Sequence, residues 1–145
     1  MDIEIVIDFF KEMELYNEEF FNEINKNTTI YDKPYEEIKD FIGCYPIYNN
    51  KDKLVNFKLI LPKINSIYDI LIYIHEYTHA LFIDDDSEIF PNIMEGIFIN
   101  KYILDNKLHN DIIWHTLNEI KNSNSDDHII GKRIKLFYIS KNLDK

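Results

Sequence analysis

The sequence predicts an α+β fold: a small sheet, a buried central helix and a helix-rich remainder. Three observations carry that prediction. Leu54 to Leu61 is a strand-like run, with Leu54, Phe57, Leu59 and Leu61 as inward residues. Residues 67–83 follow closely and are apolar nearly all round, as in a buried helix. Elsewhere, apolar residues recur at helical spacing. The length of 145 residues suits one domain over 1–145 with a single core.

Each element has its own signal. From Asp2 to Asn25, Ile3, Val6, Phe10, Met13, Phe20 and Ile24 fall at helical spacing, and Glu and Asp fill much of the remainder. This predicts an amphipathic helix laid on a core, broken at Asn27-Thr28-Thr29. A short helix is expected over Pro34 to Ile42, with proline at its start and Gly43 past its end. Cys44 to Tyr48 reads as an edge or short strand, because Pro46 cannot donate to a ladder. Asn49 to Asp52 is a turn. In the strand from Leu54, alternation is imperfect at Val55 to Phe57, which suggests a bulge or a second buried face. Pro62 ends it, and Ser66 is the expected N-cap of the helix over 67–83. Asp84 to Ser87 breaks the chain. Helices are then expected over Glu88 to Leu104, with Pro91 tolerable in the first turn, and over Asp111 to Lys121. Asn122 to Asp127 is a polar loop, and His128 to Leu143 has near-helical apolar spacing.

Composition narrows the function classes. Asp and Glu number 26 against 16 Lys and Arg, a formal charge of -10. Such a surface repels nucleic-acid phosphates and anionic lipid heads, so neither nucleic acid nor membrane is an expected partner. No apolar run approaches the length that crosses a bilayer. One cysteine, Cys44, cannot form an internal disulfide. Met1-Asp2-Ile3-Glu4 lacks the basic region that opens a secretory signal. A cytoplasmic location is expected.

The chemistry concentrates at His75-Glu76-Tyr77-Thr78-His79, an HExxH motif inside the apolar helix. Its histidines are four residues apart, so they share a face and can bind one metal ion. Glu76 lies about 100° around the helix from His75, within reach of a water on that ion. Burying two imidazoles and a carboxylate without partners would cost several kcal/mol; a cation pairs all three. A catalytic zinc needs a third protein ligand and an open position. Glu88 and Glu95 are seven residues apart on one helical face. If the next helix returns antiparallel from a pivot near residue 85 or 86, Glu95 falls between His75 and His79. Glu88 then falls near Phe82 or Ile83. Glu95 is the third ligand of choice; Glu88 is the alternative ligand or a supporting residue.

HExxH followed by Pro91-Asn92-Ile93-Met94-Glu95-Gly96 resembles the gluzincin metallopeptidases. The resemblance covers roughly residues 54 to 102, and the chain is similar in size to the minimal members of that group, the minigluzincins. It implies a zincin-like fold, one zinc ion on His75, His79 and Glu95, Glu76 as general base, and hydrolysis of peptide bonds in a peptide or protein substrate. It also implies that the strand Leu54 to Leu61 edges the sheet and pairs with extended substrate. The spacing from His79 to Glu95 is short for the group, and Ile93 and Met94 stand where an aromatic residue is common. Tyr102, seven residues after Glu95, is a candidate transition-state donor, as are His109, His115, His128 and Tyr138.

Three rivals accompany this expectation. A non-catalytic, zinc-stabilised interaction module would retain the fold and fill the open position with a fourth ligand, for which Cys44, His109 and His128 are candidates. Two histidines and a carboxylate also suit iron(II) oxygenases, although those sites usually sit on strands. A latent enzyme could cover an acidic cleft with the basic tail Lys132, Arg133, Lys135 and Lys141.

Overall fold

The computed structural model describes residues 3–82 and 87–140. The fold is α+β, with seven helices and one three-stranded sheet among the described residues. The chain divides into two compact units, residues 1–80 and 81–145.

The first unit opens with two helices where one was expected. α1 (Ile3–Glu12) ends as Glu14 enters the left-handed region at φ 59, and α2 (Glu18–Lys26) starts afresh. Asn17 caps α2 by accepting from the Phe20 amide at 2.9 Å. Such a side chain competes with the helical backbone and favours a cap over a helix interior. Val6, Phe9, Phe10, Phe21 and Ile24 of the two helices are buried.

The sheet contains β1 (Thr29–Tyr31), β2 (Gly43–Tyr48) and β3 (Leu54–Pro62), in the order β1-β3-β2. β1 runs parallel to β3, with Ile30 opposite Leu61; β2 runs antiparallel, with Cys44 opposite Leu59. The run from Leu54 is therefore the central strand, which corrects the expectation that it edges the sheet. β1 was the hidden element, since three residues are too few for alternation to register. The edges are β1 and β2, and Pro46 sits on an edge as its missing amide demands. The irregularity near Val55 is a bulge: Ile47 pairs with Asn56 and Tyr48 with Leu54, leaving Val55 as the extra residue. Phe57, Leu59 and Leu61 are buried. The short helix α3 (Tyr35–Ile38) is capped by Pro34 and stops four residues before Ile42.

α4 (Ile67–Leu81) carries the HExxH motif. Ser66 is in the N-cap position, its carbonyl accepting from Ile70 N. Asp69 reaches back to accept from the amides of Asn65 and Ser66 at 2.8 and 3.0 Å, satisfying donors that the helix leaves open. Tyr73 donates its hydroxyl to the Pro62 carbonyl at 2.7 Å, tying α4 to the end of β3. Burial, then the charge of Asp69, pushes that hydroxyl up to about 12. Tyr77 stacks on Phe21 with centroids 5.3 Å apart and donates to Asn25 Oδ1. Both motif-side tyrosines thus anchor the helix in the core.

The second unit is helical. α5 (Ile89–Tyr102) has Glu88 as N-cap and Pro91 in its first turn, as expected. α6 (Asn106–Asn122) begins five residues before the expected Asp111, because Asp105 caps it, accepting from Lys107 N and Leu108 N at 2.8 and 3.2 Å. α7 is Asp126–Ser140. Of the expected break at Asp84 to Ser87, residues 84–86 lie outside the described residues, as do Lys141 and Leu143 of the tail. No helix among the described residues is long and apolar enough to cross a membrane.

α5 and α7 run parallel. Their hydrogen bonds join residues 39, 40 and 38 apart as the two helices advance together. Two glycines permit the close approach. A Cβ on Gly131 would lie 2.6 Å from Asn92 Nδ2, and one on Gly96 would lie 2.7 Å from Tyr138 Cβ and 3.2 Å from the Lys135 carbonyl. Gly96→Ala is expected to destabilise the protein by up to about 2 kcal/mol, because overpacking of about 1–3 kcal/mol exceeds the roughly 1 kcal/mol gain in helix propensity. Chemical denaturation checks this; an unchanged or raised midpoint would contradict it.

Candidate metal centre

α4 buries Ile70, Leu71, Tyr73, Ile74, Tyr77, Thr78 and Ala80, and leaves a half-open stripe of Ile72, His75, Glu76 and His79. The helix is thus apolar on every side except the one that bears the chemistry. His75 and His79 are one turn apart, their ring centroids separated by 4.9 Å and their planes by 72°. Thr78, between them in sequence, donates its hydroxyl to the Ile74 carbonyl at 2.6 Å and takes no part in the stripe.

Cys44 approaches this stripe from the sheet. It lies opposite the fully buried Leu59 and therefore shares its face. Burial, and then the negative charge of Glu76, raises the Cys44 thiol to about 12. The thiol is accordingly protonated at neutral pH, and the negative charge beside it belongs to Glu76.

The carboxylates of α5 lie on the seam with α7. Glu88 at the N-cap donates its amide to Asp127 Oδ2 at 3.0 Å, and its Oε1 is 4.0 Å from His128 Nε2. Its carbonyl accepts from Asn92 Nδ2 at 2.7 Å. Glu95, seven residues on, is buried, and its Oε1 accepts from Lys135 Nζ at 3.2 Å.

His75 and His79 thus present two imidazoles from one helical face, half of the donor set that a tetrahedral zinc site needs. The candidate third ligands, Glu95 and Glu88, belong to the second unit, where Glu95 is engaged by Lys135.

The other candidates occupy varied positions. Tyr102 is the last residue of α5, partly exposed, with its ring stacked on Phe98 at 4.9 Å. His109 is buried on α6. His115 is exposed and faces Glu119 at 3.6 Å. Tyr138 packs against Gly96 through its Cβ. Sequence reasoning missed Asp127, Asn92 and the burial of Lys135. Asp127 had a detectable signal, an acidic residue in the first turn of a helix. Lys135 did not, since a lysine in a basic, near-helical tail reads as solvated.

No family model, no curated protein and no solved structure matches this chain.

Proposed function

We propose that this chain is a zinc-dependent hydrolase of peptide bonds, with one ion held by His75, His79 and a downstream carboxylate, Glu95 or Glu88, and with Glu76 as general base. The observation that carries the proposal is the pair of imidazoles one turn apart on the half-open stripe of α4, ring centroids 4.9 Å apart, with Glu76 on the same stripe. An HExxH helix supplies the rest of the apparatus, as the resemblance to gluzincins implies. The resemblance implies Glu95 as the third ligand; its engagement by the ammonium of Lys135 keeps Glu88 as the alternative.

Zinc held there would acidify a bound water and polarise a scissile carbonyl. Glu76 stands on the same half-open stripe as the histidines. It would take a proton from the attacking water and return it to the leaving amine as the C–N bond breaks. Among the described residues β2 is an antiparallel edge strand, a place for an extended peptide to pair, and its Cys44 thiol feels the charge of Glu76. A peptide or protein is thus the proposed substrate, in keeping with an acidic chain that disfavours phosphate backbones. The proposed setting is cytoplasmic, where a free Cys44 is compatible with a reducing pool.

Elemental analysis of protein purified without added metal is expected to find about one zinc per chain. Cleavage of unstructured peptides should stop on chelation and return with zinc. Zinc without cleavage would favour the non-catalytic module, and iron in its place would favour the oxygenase reading. Absence of any bound divalent ion, even after zinc is supplied, would end the proposal.

A further inference from the structure

We infer that Tyr45 is a specificity-determining residue for the substrate: its ring, laid along one face of β2, receives an aromatic side chain of the peptide at the position opposite Gly43. This rests on the reading above that an extended peptide pairs with β2, an edge strand among the described residues.

The register comes from Pro46. A proline has no amide to give the ladder, so in an edge strand it turns that side outward. Hydrogen-bonding groups alternate along an antiparallel strand, so Cys44 turns its N–H and C=O the same way, while Gly43 and Tyr45 bond to β3. Pro46 can offer an incoming strand only its carbonyl, whereas Cys44 offers both groups and anchors it. The Cys44 side chain shares the face of Leu59, where the charge of Glu76 reaches the thiol. The peptide residue bonded to Cys44 therefore points its side chain to the side of Glu76. Its two neighbours in the peptide point to the opposite face.

On that opposite face β2 presents Gly43, Tyr45 and Ile47, none of them charged. Tyr45 is 42% exposed, yet its ring is held in place. The hydroxyl donates to the Phe41 carbonyl at 2.8 Å, and the ring lies 3.4 Å from where a Cβ on Gly43 would stand. The ring thus lies back over Gly43 and takes the space beside it. In an antiparallel peptide, the residue that follows the one bonded to Cys44 comes opposite Gly43. That pair is of the non-hydrogen-bonded kind, which brings side chains closest. The incoming side chain meets the Tyr45 ring where Gly43 has nothing to offer. Lys58, the cross-strand partner of Tyr45, stands on β3, away from the open edge. An uncharged aromatic wall favours an aromatic guest, and a ring already held in place does not have to be ordered on binding.

The test uses the full chain carrying Glu76→Gln, which leaves peptides intact, and fluorescein-labelled peptides in which Phe, Lys or Ala is stepped along a uniform Thr-Ser sequence. Affinity is read by anisotropy, and hydrogen exchange at the Cys44 amide reports where the peptide lies. Circular dichroism verifies that each variant is folded. Binding is expected to protect the Cys44 amide, and Phe at one position is expected to bind about 3- to 10-fold tighter than Ala. Tyr45→Phe, which keeps the ring, should retain most of that preference, and Tyr45→Ala should abolish it. An unprotected Cys44 amide, a preference for Lys over Phe, or a Phe preference that survives in folded Tyr45→Ala would each overturn the assignment. Wild type with zinc is then assayed for cleavage of the same peptides, and kcat/KM should follow the same order. If wild type cuts nothing while the Tyr45-dependent preference holds, the hydrolase reading falls and the aromatic subsite stands. Cleavage with no dependence on Tyr45 does the reverse.

Discussion

Glu76→Gln leaves zinc bound and lowers peptide cleavage by about 10²–10⁴-fold, the usual contribution of a positioned general base. Glutamine has the size of glutamate and can keep its place on the half-open stripe of α4, so neither helix packing nor the histidines are disturbed. What it lacks is a site to hold a proton. Retained turnover would exclude Glu76 as the base, and loss of zinc with turnover would make it a ligand. Cys44 supplies an independent readout within the same variant. Its thiol is raised first by burial and second by the charge of Glu76. Removing that charge lowers the thiol pKa, but only by the smaller of the two causes. Thiol labelling against pH should therefore move modestly toward lower pH, confirming that position 76 was ionised beside the sheet.

The elements that sequence exposed best were those with a long apolar pattern. α4 was legible from its uninterrupted apolar residues, and β3 from Leu54, Phe57, Leu59 and Leu61, even to the bulge at Val55. Periodicity says which residues turn inward, but not what lies on either side of them. The three residues of β1 have no period to read, and their pairing made β3 central instead of an edge. The split between α1 and α2 was missed for a related reason. Apolar spacing runs through both, and the break is made locally by Asn17 and the left-handed Glu14. Asp105 is a similar case, a cap visible in the sequence that outranked the apolar pattern in setting the start of α6.

The site divides along the same line. His75, Glu76 and His79 are fixed relative to one another by a single helix, so spacing alone places them on one stripe. The third carboxylate comes from another element, and choosing it required the length of the turn and the direction of α5. Reflection about a pivot near residue 85 favours Glu95 over Glu88. A shift of a few residues in such a pivot exchanges two carboxylates seven residues apart. The buried Lys135 was beyond periodicity altogether, because its neighbour Glu95 is 40 residues away and only the α5–α7 pairing brings them into contact.

His79→Ala is expected to abolish high-affinity zinc binding, and with it the metal's contribution to stability. A ligand that binds only the folded chain stabilises it by about 2.7 kcal/mol at 100 times its dissociation constant. For a chain of this length that corresponds to a rise in melting temperature of roughly 8 °C. Wild type should therefore lose about that much on chelation and regain it with zinc, whereas His79→Ala should melt at one temperature under both conditions. His75→Ala should behave alike, since one imidazole with one carboxylate leaves too few donors for a tetrahedral site. The apo proteins are expected to differ little, because positions 75 and 79 are half-open and truncation there leaves no sealed cavity. This separates loss of the metal from loss of the fold. If either variant keeps wild-type zinc content and its response to chelation, the HExxH histidines are not the ligands, and the function proposed for Glu76 loses its cofactor.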